Sequence, residues 1–310
     1  MKTFSRDARK YPYDAWLVWR LIEKCNLDCR YCFTYGDPAK KTARIPIIDT
    51  PSMMRTLEKT GKIFRIYLTG TGEPSLVPNI VEACAEITKK HYLTFNTNLT
   101  TRKIRDFVEK VDPGKVTEII ASCHIKELER HNLTDTYIEN FLLCKERGFK
   151  IVAEVVGYPP ILKEAKKYRE FFRKSGIELK FRGFIGTYKG KEYPKCYTKK
   201  QLEILDRLFG NGSFFHRHGQ FCNGGYNACA VDSDGIVYPC TDVREASESI
   251  GHIYKIIEFK KSLMKCPFDF CACPLSGFDP HLFERALKET AAASDKRGFI
   301  YRFASLIKNK

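Results

Sequence analysis

Residues 15–32 read AWLVWRLIEKCNLDCRYC, an apolar run that ends in a loop carrying Cys25, Cys29 and Cys32. The run reads as a buried strand, the first of a series of short apolar segments. Three thiols in one loop, spaced by three and then two residues, suit an iron–sulfur cluster. A cubane held by only three protein ligands keeps one iron open to a substrate or cofactor. A zinc site completed by a distant His is the competing reading.

Outward from this stretch, further apolar runs follow: IFRIYLT (63–69), YLTFNT (92–97), VTEIIAS (116–122), KIVAEVV (150–156) and IELKFRGF (177–184). Helix-like amphipathic segments lie between them at 51–60, 77–89, 102–111, 136–147 and 161–175. Such alternation predicts a parallel sheet with crossover helices. Right-handed crossovers curl it into a partial (β/α)6 TIM-like barrel, with ligands at the carboxyl ends of the strands. A Gly- and Tyr-rich loop, GTYKGKEYPKCYT (186–198), closes this part. The expected organisation is α/β: the partial barrel over 1–198 and a small cysteine-rich α+β domain over 199–310.

The 310 residues are long enough to bury a core without disulfides, and 43% hydrophobic with 29% charged residues is a globular composition. No apolar run has signal-peptide length near the N-terminus, and none approaches the ~18 residues of a membrane span. A cytoplasmic location without membrane contact is expected. Thirteen cysteines, clustered at two places, then point to metal or cluster ligation rather than disulfides. The formal charge of +16 would attract nucleic acid, an acidic peptide or a phosphorylated substrate. The basic residues are scattered, however, and a solvated surface is the plainer reading.

CNLDCRYC resembles the C-x3-C-x2-C signature of the radical SAM superfamily, with Tyr31 at the aromatic position before the last cysteine. The resemblance implies that Cys25, Cys29 and Cys32 hold a 4Fe-4S cluster whose open iron chelates the methionine moiety of S-adenosylmethionine, with Tyr31 by the adenine. TGTGEP (69–74) resembles the family's glycine-glycine-glutamate-proline element. Gly72, Glu73 and Pro74 align, and Thr71 replaces the first glycine. Its edge backbone groups and Glu73 are implied to bind the methionine ammonium. Asn96, Asn98, Ser122 and His124 fall where the family places polar contacts to the cofactor. Asn98 and Ser122 are the candidates carried over, with local helix capping as their alternative role.

Cys222, Cys229, Cys240, Cys266, Cys271 and Cys273 form a second group, in which Asp234-Gly235 reads as a hairpin turn. This segment resembles the SPASM or twitch extension of radical SAM enzymes, with Cys222, Gly235 and Cys240 matching its opening. Six cysteines are too few for two complete cubanes. One auxiliary 4Fe-4S cluster is expected on Cys222, Cys240 and two of the last three, Cys271 and Cys273 first, with Cys266 and Cys229 as substitutes or neighbours. Structural zinc is the alternative.

Cys84 and Cys144 read as small buried thiols. Cys123, at a strand end facing the presumed cleft, and Cys196, in the loop after the barrel, are candidate hydrogen-atom donors to a substrate radical, with structural or incidental thiols as the plainer reading. Glu154 and Arg182 are pocket candidates, because an inward charge in a barrel is costly unless used. His216 and His218 read as a surface pair. The resemblance implies reductive cleavage of S-adenosylmethionine and hydrogen abstraction from a peptide or protein, with an aminoglycoside-like or other sugar-type substrate as the alternative. An electron donor such as flavodoxin or ferredoxin follows. A non-catalytic iron–sulfur or zinc protein binding nucleic acid leaves TGTGEP unexplained.

Overall fold

The computed structural model describes residues 12–32, 34–37, 42–206, 218–241, 249–268 and 280–295. The strand–helix alternation begins with β1 (Ala15–Ile22), α1 (Thr50–Lys59), β2 (Phe64–Gly70), α2 (Ile80–Lys90), β3 (Tyr92–Thr97), α3 (Lys103–Lys110) and β4 (Val116–Ser122). It continues through α4 (Ile125–Arg130), α5 (Thr134–Glu146), β5 (Ile151–Gly157), α6 (Pro159–Leu162), α7 (Ala165–Lys174) and β6 (Leu179–Gly183). These six strands are parallel and in sequence order, forming the partial barrel.

Local chemistry explains the element ends. Asp49 caps α1 by accepting from the Ser52 N–H at 3.1 Å. The 161–175 segment divides into α6 and α7. α4 has six residues, too few to show a helical period, and it is absent from the sequence reading for that reason.

One face of the sheet packs on the helices. Leu17, Trp19, Ile66, Leu68, Phe95 and Ile119 join Met53, Leu57, Ile87 and Phe107 in the main core. Strand residues of opposite parity point to the other face. There Trp16 and Val18 pack with Tyr13, Tyr92, Ala228, Cys240 and Leu282, while polar side chains occupy the carboxyl end.

The second part of the chain extends the same sheet. After β7 (Gly186–Tyr188), β8 (Lys191–Tyr193), α8 (Lys199–Ile204) and β9 (Phe221–Cys222) come β10 (Ala228–Val231), β11 (Ile236–Tyr238), β12 (Gly251–His252) and β13 (Ile256–Ile257). β10 lies parallel to β1, pairing Trp16 with Ala228 and Leu17 with Cys229, and β11 to β13 continue antiparallel. β1 is therefore an interior strand covered on both faces, which accounts for its unbroken apolar run.

The expected Asp234-Gly235 turn joins β10 to β11, with Gly235 at φ +87°. Residues 199–206 belong with the barrel, since the Asp206 carboxylate accepts from the Phe181 N–H at 2.8 Å and pairs with Arg169. The two parts share one continuous sheet. β14 (Met264–Lys265) pairs with β9. The last described helix, α9 (Pro280–Asp295), is held through Arg285 to Asp14 at 2.9 Å and Asn227 to the Leu282 carbonyl at 2.9 Å. No helix among the described residues is long and apolar enough to cross a membrane.

Candidate active site at the strand ends

The loops after β1, β2 and β3 are bound into one unit. Beyond the end of β1, the Gly72 N–H donates to the Ile22 carbonyl at 3.0 Å and the Glu73 N–H to the Lys24 carbonyl at 2.9 Å. The TGTGEP segment is thereby lashed to the first residues of the cysteine loop. Gly72 is required by proximity, because a Cβ there would stand 2.1 Å from the Lys24 carbonyl oxygen.

Glu73 is only 3% exposed. Its Oε1 accepts from the Ser75 N–H at 2.9 Å and the Thr97 hydroxyl at 2.6 Å, and its Oε2 from the Asn98 N–H at 2.7 Å. Burial pushes this carboxyl up, against the opposing pull of those donors. These bonds join the β2 and β3 loops beside the edge backbone of residues 70–73.

Asn98, also buried, donates through Nδ2 to Asn26 Oδ1 at 2.9 Å and accepts from Thr100. Asn98 thereby clasps the cysteine loop. Ser122 donates to Asn96 Oδ1 at 2.9 Å, and Asn96 Nδ2 reaches Tyr67 Oη at 3.4 Å and Thr69 Oγ1 at 3.3 Å. On the same face, Glu154 is paired across from Ser122 and lies 3.5 Å from Arg182. The inward charges therefore meet each other within a polar row.

In the cysteine loop, Cys29 is 6% exposed while Cys25 and Cys32 are partly exposed. The Cys32 N–H donates to the Cys29 carbonyl at 2.9 Å, and the Leu27 N–H to Cys25 Sγ at 3.4 Å. Burial, then the Glu127 carboxylate, then Cys25 and Cys32 push the Cys29 thiol up. Thiolates crowded in this way call for a positive partner, which iron supplies, so the donor set fits a cluster. Tyr31 Oη lies 2.9 Å from His124 Nδ1, and its ring is 5.4 Å from that of Tyr158.

In the second group, Cys222 on β9 faces Met264 of β14, and the Cys266 N–H bonds to the Gln220 carbonyl at 2.9 Å. Cys222 Sγ accepts from the Gly224 N–H at 3.3 Å. Cys240 packs with Trp16 and Ala228. Cys229 has the opposite parity on β10 and is fully buried in the main core, where burial pushes its thiol up to about 12. Cys271, Cys273 and His216 lie outside the described residues. Among the described residues no three His, Cys, Asp or Glu side chains close on a single ion.

Cys123 is 0% exposed and in the helix-side core, beside Tyr137, whose hydroxyl donates to the Ala121 carbonyl at 3.1 Å. The expectation that it faces the cleft is corrected, because its parity turns it to the opposite face from Ser122. Cys196 is exposed after β8, and Cys84 and Cys144 are buried as expected. Sequence reasoning passed over Asn26, Thr97, Glu127 and Tyr158. Asn26 is not one of the defining positions of its motif and the others lie in none of the quoted motifs; each reaches the site through a contact distant in the chain.

Residues 19–172 match the family model for the radical SAM superfamily. No match to a curated protein was found. Among solved structures, polyhistidine-tagged anSMEcpe with bound AdoMet superposes with a TM-score of 0.56 at 20% identity, over 78% of this chain and 75% of that one. Native anSMEcpe with bound AdoMet and Cp18Cys peptide gives 0.55 at 16% identity, over 91% and 98%. Streptococcus suis SuiB bound to S-adenosylmethionine gives 0.54 at 16% identity, over 78% of this chain and 64% of SuiB. The chain thus spans about two thirds of SuiB's length. At these identities the likeness establishes the fold.

Proposed function

The chain belongs to the radical SAM superfamily, and from that premise we propose that it reductively cleaves S-adenosylmethionine and abstracts a hydrogen atom from a peptide or protein, which it thereby oxidises, cross-links or epimerises. The observation that carries the reading is the union of the cysteine loop with the TGTGEP segment at the carboxyl ends of β1 and β2. That union sets three thiols beside an edge of backbone groups, above a polar row suited to a substrate.

Cys25, Cys29 and Cys32 would hold the 4Fe-4S cluster, and residues 70–73 the methionine end of the cofactor. A cluster bound there would supply the electron for reductive cleavage of the cofactor's sulfonium. Tyr31, fixed by His124 and Tyr158, offers a ring face for the adenine. Ser122, Asn96 and the Glu154–Arg182 pair would orient the substrate, so that one C–H bond meets the radical. Cys222, Cys240 and two of Cys266, Cys271 and Cys273 would hold one auxiliary 4Fe-4S cluster able to accept the substrate electron. A flavodoxin or ferredoxin would serve as donor.

A peptide is favoured as substrate by the +16 charge, which suits an acidic partner, and by the fold shared with anSMEcpe, captured with a peptide. The hydroxyl and amide groups of Tyr67, Thr69, Asn96 and Ser122 support a second reading, a dehydrogenase or epimerase of a sugar-type molecule.

Anaerobic incubation of reconstituted protein with dithionite and S-adenosylmethionine tests the proposal. 5'-Deoxyadenosine should form, and Cys25→Ala, Cys29→Ala or Cys32→Ala should abolish it. No product from protein carrying a full complement of iron refutes the reading. Stoichiometric zinc beside one reducible cluster refutes the auxiliary cluster. Incorporation of substrate hydrogen into 5'-deoxyadenosine, compared between acidic peptides and aminosugars, separates the two substrate classes.

A further inference from the structure

Two contacts press the cysteine loop against the corner between β4 and α4, and they fall on either side of Cys29. Beyond it in sequence, Tyr31 meets His124. Before it, the Asp28 N–H donates to Glu127 Oε2 at 3.2 Å, across 99 positions of sequence. The Glu127 side chain is 7% exposed, and the same oxygen accepts from Arg130, with His131 Nε2 at 3.7 Å. A buried carboxylate is tolerated only with such partners.

α4 does not need this carboxylate to close its first turn, because the Glu127 and Leu128 N–H groups both bond to the His124 carbonyl. The backbone group that Glu127 does engage belongs to the cysteine loop. Arg130 is half-exposed and its charge is screened by water, whereas the Glu127 carboxylate is buried and faces the cysteine loop through the Asp28 N–H.

Resting on the reading that Cys25, Cys29 and Cys32 carry a 4Fe-4S cluster, we propose that Glu127 is a positioning residue for that cluster. It holds the Asp28 peptide, and with it Cys29, in place, and its negative charge lowers the reduction potential of the cluster. The lower potential makes the reduced cluster a stronger electron donor.

The test uses the anaerobically reconstituted full chain without S-adenosylmethionine, with two readouts: iron loss to a chelator, and a dithionite titration followed by electron paramagnetic resonance. Glu127→Gln keeps a carbonyl acceptor and removes the charge. It should retain iron as wild type does, while the reduced-to-oxidised ratio at fixed poise rises about tenfold, a positive shift of about 59 mV for one electron. Glu127→Ala also removes the acceptor and should lose iron about tenfold faster.

Glu129→Gln, an equal charge change at an exposed position of the same helix, should leave both readouts at wild type. The inference is overturned if Glu127→Gln keeps the wild-type potential, if Glu129→Gln shifts it equally, or if Glu127→Ala holds iron as tightly as wild type. Should Glu127→Ala misfold, the potential of Glu127→Gln decides alone. Wild-type protein that takes up no iron overturns the cluster reading itself, whereas variants matching an iron-loaded wild type overturn only the role of Glu127.

Discussion

Replacing Gly72 by Ala tests whether the backbone lash builds the site. The added Cβ would stand 2.1 Å from the Lys24 carbonyl oxygen and 2.6 Å from the carbonyl carbons of Glu23 and Lys24. All three are backbone atoms of the segment entering the cysteine loop, so no side-chain rotation relieves the overlap. The strands must part, and the bonds from Gly72 to Ile22 and from Glu73 to Lys24 are lost or stretched. Two backbone hydrogen bonds at about 1 kcal/mol each and an overpacking cost of about 1–3 kcal/mol sum to roughly 3–5 kcal/mol. Gly190→Ala is the matched control: this exposed glycine has φ +72° and nothing within 4 Å of its would-be Cβ, so its cost is the left-handed backbone alone, about 1–2 kcal/mol. The assay is anaerobic denaturant unfolding paired with iron content. Gly72→Ala should be the less stable of the two and take up less iron, while Gly190→Ala keeps its full complement. Equal stability of the two variants, with wild-type iron in both, would refute the reasoning.

Glu73→Ala should cost about 3 kcal/mol or more, because three donors to a buried carboxylate lose their acceptor, and calorimetry should show it even in iron-free protein. Cys123→Ala should leave 5'-deoxyadenosine formation and product unchanged while costing about 1 kcal/mol of stability; loss of product with cofactor cleavage intact would restore this thiol as a hydrogen donor. His91 accepts the Phe64 N–H at 3.2 Å and is held from 6.5 down to about 4, chiefly by burial. The unfolded chain therefore binds the proton first as pH falls. The contribution of His91 is fully present above about pH 6.5 and is lost progressively toward pH 4, about 3 kcal/mol in all. The difference between wild-type and His91→Gln stability across that window should trace the loss, and a flat difference would contradict it.

Residues 15–184 were legible because a parallel sheet buried on both faces leaves dense apolar runs, and its crossover helices leave amphipathic ones. All six strands lie within two residues of their expected ends at each terminus. The continuation of the sheet through β10 escaped the reading. Ala228–Val231 is a four-residue run, and nothing local in it announces a parallel partner more than 200 positions earlier. The cysteine loop and TGTGEP were visible as motifs because their chemistry depends on residues close together in sequence.

What the sequence determined by itself is therefore the loop that opened the reading: its three thiols, their spacing, their place after the first strand, and the radical SAM membership that follows. Which way Cys123 and Cys229 face, that the Glu73 and Asn98 side chains bond across neighbouring loops, and that Glu127 reaches Asp28 were decided only in three dimensions. Strand parity and hydrogen-bond satisfaction settle such matters, and both depend on partners that the folded chain brings from far along its length.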